Sequence, residues 1–135
     1  MIQPELHSIE RLLSDFAFCA DDGDANGLAR LFTEDGVLSI GSHQSVGRTA
    51  IAADCQARFA IPNRKTRHVW SNLRVTALTS DTASTTALQL TFETLGPDTP
   101  TSLRVNDVID ELRRNANGVW RFAHRQIRKE LALSL

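Results

Sequence analysis

Apolar residues recur at three- and four-residue steps near the start of the chain, at Leu6, Ile9, Leu12, Leu13, Phe16, Ala17 and Ala20. That period lays one apolar stripe along a helix from about Pro4 to Ala20, with Pro4 suited to a first turn. The run Asp21-Asp22-Gly23-Asp24 ends it. Gly23 is free to take the left-handed backbone that follows a helix, and Asp24 can cap a second short helix over ANGLARLF. EDGVLSI reads as a turn and a short strand, followed by a loop from Gly41 through His43 to Gly47. A third helix is expected from Thr49, its cap, to about Phe59, with Pro62 as its stop.

The second half changes period. TRHVWSNLRVTAL, TASTTALQLTFETL, SLRVNDVIDELRR and VWRFAHRQIRKELAL are β-branched or alternating stretches, separated by the turn formers TSDT, GPDTP and NANG. Four long antiparallel strands are the economical assignment. Helices first and a meander afterwards, without βαβ alternation, predict an α+β fold with the helices on one face of the sheet. Strand alternation sets His68, Trp70 and Asn72 on one face and leaves Val69, Leu73 and Val75 on the other. That second face is too apolar for solvent, so a bulge or an oligomer contact is expected there.

Length and charge narrow the partners. A chain of 135 residues is expected to form a single domain over 1–135. Fifteen Lys and Arg stand against sixteen acids, for a net charge of -1, so nucleic acid is not an expected partner. The densest mid-chain basic stretch, Arg64, Lys65 and Arg67, reads as a solvated strand entrance. No segment approaches the roughly 18 apolar residues that span a membrane, and the N-terminus has no basic start followed by an apolar run. A cytoplasmic location is the default expectation. Cys19 and Cys55 lack metal or redox spacing and read as buried, reduced thiols within helical patterns.

Several of these segments, taken in order, resemble a known family: FCADDGDANGLARLFTEDGVL, then VGRTAI, TRHVWSN and NGVWRFAHRQI. The likeness is to the nuclear transport factor 2-like superfamily and, within it, to the SnoaL-like group that contains the scytalone dehydratase-like branch. The resemblance implies a cone-shaped α+β barrel in which three N-terminal helices pack on a strongly curved, mostly antiparallel sheet around a pocket. In the scytalone dehydratase-like branch, an Asp at the end of the first helix and a His on the first long strand form a catalytic pair. Those positions match Asp21 and His68. Relatives usually assemble through their sheets, which implies a homodimer or homotrimer.

A carboxylate that holds the Nδ1 proton of a neutral imidazole leaves Nε2 as a base and stabilises the imidazolium that forms. By resemblance this pair would drive an elimination or proton abstraction on a small apolar or aromatic molecule, with no metal or organic cofactor. Phe16 and Trp70 are candidates to line the pocket with Phe92, and Asn106 and Arg125 to donate to a developing oxyanion. His43 and His124 lack any second metal-type residue at suitable spacing and read as exposed or loop histidines. The plain alternatives stand beside these roles: a cap or solvated turn for Asp21, core for Phe16 and Trp70, and a surface ion pair for Arg125.

Two departures argue against scytalone-type dehydration. The chain has no tyrosine to hold a carbonyl or leaving water, and the strand matching a second pocket histidine reads TTALQLTF. A lyase or isomerase, a non-catalytic binding or oxygenase-small-subunit-like module, and a polyketide-cyclase-like enzyme all remain open. An enzyme should hold Asp21 about 2.6 to 3.2 Å from His68 beside a cavity of roughly 300 Å³ or more. A structural module should have that space filled by side chains such as Trp70 and Phe92.

Overall fold

The opening helix buries one stripe. In the computed structural model, which describes residues 2–135 with side chains of the first helix from Glu5 onward, α1 runs Ile2–Asp22 and sinks Ile9, Leu12, Leu13, Phe16 and Ala20 into the core. Each of the larger ones contributes about 1.5–3 kcal/mol by leaving water. Gly23, at φ +71°, ends the helix. Asp24 then caps α2 (Ala25–Arg30), its carboxylate accepting from the Gly27 N–H at 2.8 Å.

β1 (Phe32–Ile40) and β2 (His43–Val46) form an antiparallel hairpin. The expected loop over 41–47 is therefore mostly strand. HQSV carries no apolar alternation, yet Ser45 is buried and its hydroxyl donates to Asp54 of the next helix. That helix, α3 (Arg48–Phe59), is preceded by Gly47 in the cap position instead of Thr49, and no side chain caps it.

β3 (Lys65–Leu78), β4 (Thr82–Thr94), β5 (Ser102–Arg114) and β6 (Trp120–Ser134) are the four long strands. The sheet order is β2-β1-β6-β5-β4-β3, antiparallel throughout except for the parallel β1–β6 pair. It curls around the helices without closing, and β2 and β3 are its edges. The α+β assignment and the mostly antiparallel curved sheet therefore hold.

A bulge re-aims β3. The β3–β4 register shifts between Ser71 and Arg74, and Asn72 takes φ +58°, a left-handed value that asparagine tolerates. Asn72 is exposed, Leu73 packs against the core, and of the apolar set expected outside only Val69 is strongly exposed, at 47%. The sheet's convex face nonetheless has an apolar rung across four strands, Val69–Leu90–Val105–Leu131.

Gly36 sits where β1 shifts register against β6. A Cβ added there would stand 2.9 Å from Phe32 Cβ and 3.0 and 3.1 Å from the Thr33 and Phe122 carbonyl oxygens. Gly36→Ala is expected to cost about 1–3 kcal/mol by overpacking, read as a lower urea midpoint at unchanged m-value.

Candidate active site

Asp21 is the next-to-last residue of α1, and the helix delivers its carboxylate to the start of β3. Oδ2 accepts the His68 backbone N–H at 2.9 Å, and Oδ1 accepts the Thr66 hydroxyl at 3.1 Å and His68 Nδ1 at 2.6 Å. An ionised carboxylate only accepts, so Nδ1 carries the ring proton and Nε2 presents a lone pair. Both side chains are sheltered, 12% exposed for His68 and 16% for Asp21. Burial holds the His68 pKa below its ordinary 6.5, outweighing the hydrogen bond and charge of Asp21 that raise it; Arg64 and Arg104 lower it further. The imidazole is therefore neutral at neutral pH, the state a base requires.

His68 opens on a cavity of about 310 Å³. Phe16, Ala20 and Leu28 of α1 and α2, with Phe59 of α3, form its apolar side. Two rungs of the concave sheet form the other: His68–Thr91–Arg104, and Gln89–Asn106–Lys129 beside it. Asn106 is buried and donates to Gln89 Oε1 at 3.5 Å.

The residues expected at the site thus separate. Asp21 touches His68 but stands behind it, not in the cavity wall. Phe16 and Asn106 line the cavity. Trp70 shares the face of His68 but not the cavity, because its indole N–H donates to Ser14 of α1 at 3.0 Å and the ring packs as a pillar between helix and sheet. Phe92 alternates with the buried, cavity-lining Thr91 and so belongs to the convex face. Arg125 is neither a surface residue nor a wall residue. It is 1% exposed, lies 4.2 Å from the Phe16 ring centroid and 4.7 Å from that of Phe122, and pairs with Asp110 at 3.7 Å. His124 bonds Ser39 at 2.9 Å, His43 bonds Asp54 at 3.0 Å, and no metal-holding cluster occurs among the described residues.

Residue type alone did not single out Gln89, Thr91, Arg58, Arg64, Arg104 or Lys129. The available signal was parity. Gln89 and Thr91 occupy the same alternate positions as the buried Ala83 and Ala87, and Arg104 and Asn106 the same as Val108 and Leu112. Polar residues at buried parity mark where a sheet lines a hollow instead of a core.

Comparison with known proteins bears on the family and the fold. The family model for the SnoaL-like domain matches residues 4–126. No curated protein matches the chain by sequence. Among solved structures, a candidate scytalone dehydratase of Novosphingobium aromaticivorans superposes with a TM-score of 0.87 at 23% identity, over 97% of this chain and 87% of that one. A type 2 hexachlorocyclohexane dehydrochlorinase, LinA, gives 0.87 at 20% identity over 98% and 89%. ActVI-ORFA of Streptomyces coelicolor gives 0.78 at 20% identity over 95% and 98%. At these identities the likeness is one of fold.

Behind the cavity, burial pushes the Asp110 carboxyl up to about 6, and the charge of Arg125 pulls it back only in part. A folded-state pKa above the ordinary 3.8 means that the native chain binds a proton that the unfolded chain does not, so this group adds stability as pH falls from 6 towards 4. Asp110→Asn removes that gain. The stability difference between wild type and variant should widen in favour of wild type by about 2 kcal/mol between pH 7 and pH 4.5, measured by urea denaturation. A difference that does not change with pH would contradict it.

Proposed function

Because the chain belongs to the SnoaL-like family, its hollow is where chemistry is to be sought, and we propose that it is a cofactor-independent lyase or isomerase acting on a small apolar or aromatic molecule. The 2.6 Å contact of Asp21 with His68 beside an open cavity carries this proposal. His68 Nε2 takes a proton from carbon and the electron pair forms a new double bond; in an elimination the leaving group departs with its electron pair, and in an isomerisation the existing double bond shifts and the imidazolium returns the proton at its far carbon. Asp21 holds the ring and stabilises the imidazolium. Asn106, in the cavity wall, is in position to donate to charge developing on the substrate. A non-catalytic module has less support, since neither Trp70 nor Phe92 fills the space. A solved relative named as a dehydrochlorinase belongs to the same fold, which is consistent with elimination.

The chromogenic probe 5-nitrobenzisoxazole tests this directly. Loss of its C3 proton to a base breaks the N–O bond and releases a coloured nitrophenolate, with no other reactant. Wild type should exceed free imidazole at equal concentration, and His68→Ala should lose about 100-fold or more. Equal turnover by the two proteins would remove His68 as the base.

The pH dependence supplies an independent check. Activity needs neutral His68, so the acid limb of kcat/KM should fall below 6.5. Asp21→Asn removes a group that raises the His68 pKa and should move the limb lower still, whereas Arg104→Gln removes one that lowers it and should move the limb up. Shifts in the same direction would contradict the assignment.

For the convex face the proposed partner is a second copy of the chain. The apolar rung Val69–Leu90–Val105–Leu131 continues into Phe92–Leu103–Leu133, with Leu131 60% and Leu133 47% exposed. Light scattering should report a dimer or trimer, and Leu131→Glu with Leu133→Glu should yield a folded monomer. A monomeric wild type would overturn this.

A further inference from the structure

The cavity carries more positive charge than its own fold neutralises. Arg58 of α3, Arg64 after it, Arg104 of β5 and Lys129 of β6 all line it, and no acidic side chain does. Glu93 alone serves two of them, accepting from Arg64 Nε at 2.5 Å and Arg104 Nη1 at 3.3 Å. Arg58 donates to the neutral Cys55 thiol at 3.2 Å, and neither Arg58 nor Lys129 has a carboxylate partner among the described residues. Asp54, one position before Cys55, is hydrogen-bonded by His43 and Ser45 and acts on Arg58 only through its charge.

Four cations share one paired carboxylate, Glu93, at the cavity, with Asp21 behind His68 and Asp54 acting on Arg58 by charge alone. Chance placement of this kind is disfavoured, because like charges around a partly enclosed, low-dielectric space repel one another. Partly sheltered guanidinium groups are suited to a carboxylate, which they recognise through paired N–H donors. The helices also give the cavity an apolar side, with Phe16, Ala20, Leu28 and Phe59, the last of these next to Arg58 on α3.

We propose that the molecule bound in this cavity is an amphipathic carboxylate, its apolar or aromatic body against the helices and its carboxylate among Arg58, Arg64, Arg104 and Lys129. This deepens the lyase or isomerase reading and rests on the cavity which that reading assigns to substrate. The reacting carbon then lies between the two ends, beside His68. Arg64 and Arg104 face His68 together with Asp21, so a carboxylate seated on the arginines offsets their effect and strengthens the base when substrate is bound.

The test is calorimetric titration of the full chain with 2-naphthoate and with its uncharged isostere 2-naphthamide, in low and moderate salt. Naphthoate should bind about tenfold or more tightly, a preference that falls as salt rises. Arg58→Gln with Lys129→Gln should reduce the preference while leaving naphthamide affinity unchanged. Arg104→Gln, made separately, should also reduce it. Equal or tighter binding of naphthamide, a preference undiminished in the double variant, or no binding of either compound at millimolar concentration would overturn the proposal. His68→Ala separates the two readings. If it keeps the naphthoate preference and also keeps turnover of 5-nitrobenzisoxazole, only the base assignment fails. If it loses turnover while wild type shows no naphthoate preference, only the carboxylate proposal fails.

Discussion

The carboxylate of Asp21 joins the helical layer to the sheet. It accepts from Thr66, the His68 backbone and the His68 ring, all on the first turn-out of β3, so the C-terminal end of α1 is held to one strand by three bonds. A sheltered carboxylate is tolerated because these donors replace its water. The same bonds orient the imidazole. With Nδ1 bonded to Asp21, Nε2 is left on the other side of the ring, and His68 lines the hollow. The fold and the proposed chemistry thus rest on one side chain, anchored where a helix end, a strand start and a cavity meet.

Along the concave face, the sheet changes character rung by rung. Ala83 beside Leu112 is apolar core; Thr85–Asp110–Arg125 is polar but dry; Ala87–Val108–Ile127 is apolar again; Gln89–Asn106–Lys129 and Thr91–Arg104 meet the cavity. The buried Asp110–Arg125 pair stays apart from the cavity because the Phe16 ring stacks on the guanidinium and presents itself to the hollow. Phe16 therefore has two roles, as the lid of a charged core rung and as apolar wall. Its edge-on packing with Phe122 at 5.9 Å and Phe32 at 6.4 Å fixes that position.

Elements with a strong period were legible in the sequence. α1 and the four long strands appear where the stripe and the alternation put them, because their burial follows that period. β2 was not legible: HQSV is polar, and it becomes a strand through pairing with β1 and through the Ser45–Asp54 bond, both of which depend on tertiary contact. The meeting of Asp21 with His68 was available only through resemblance, since 47 residues of chain separate them. Trp70 shows the limit of alternation. Sharing a face with His68 does not specify reach, and the longer indole extends to Ser14 on α1, away from the hollow. Phe92 was favoured for its residue type against its parity, and parity prevailed.

The cavity cations are not legible in the sequence for a related reason. A basic stretch at a strand entrance is usually solvated, and Arg64, Lys65 and Arg67 look alike in the sequence. The sheet separates them: Lys65 and Arg67 are exposed, whereas Arg64 turns inward to Glu93 and the cavity. Once it does so, its charge acts on His68. Burial and two arginines lower the His68 pKa while Asp21 raises it, and the balance leaves the imidazole neutral. The fold supplies the hollow common to many chemistries. In this chain the lining carries Arg58, Arg64, Arg104 and Lys129, and under the proposed function the sign of that charge would bear both on which molecules enter and on how readily His68 takes a proton.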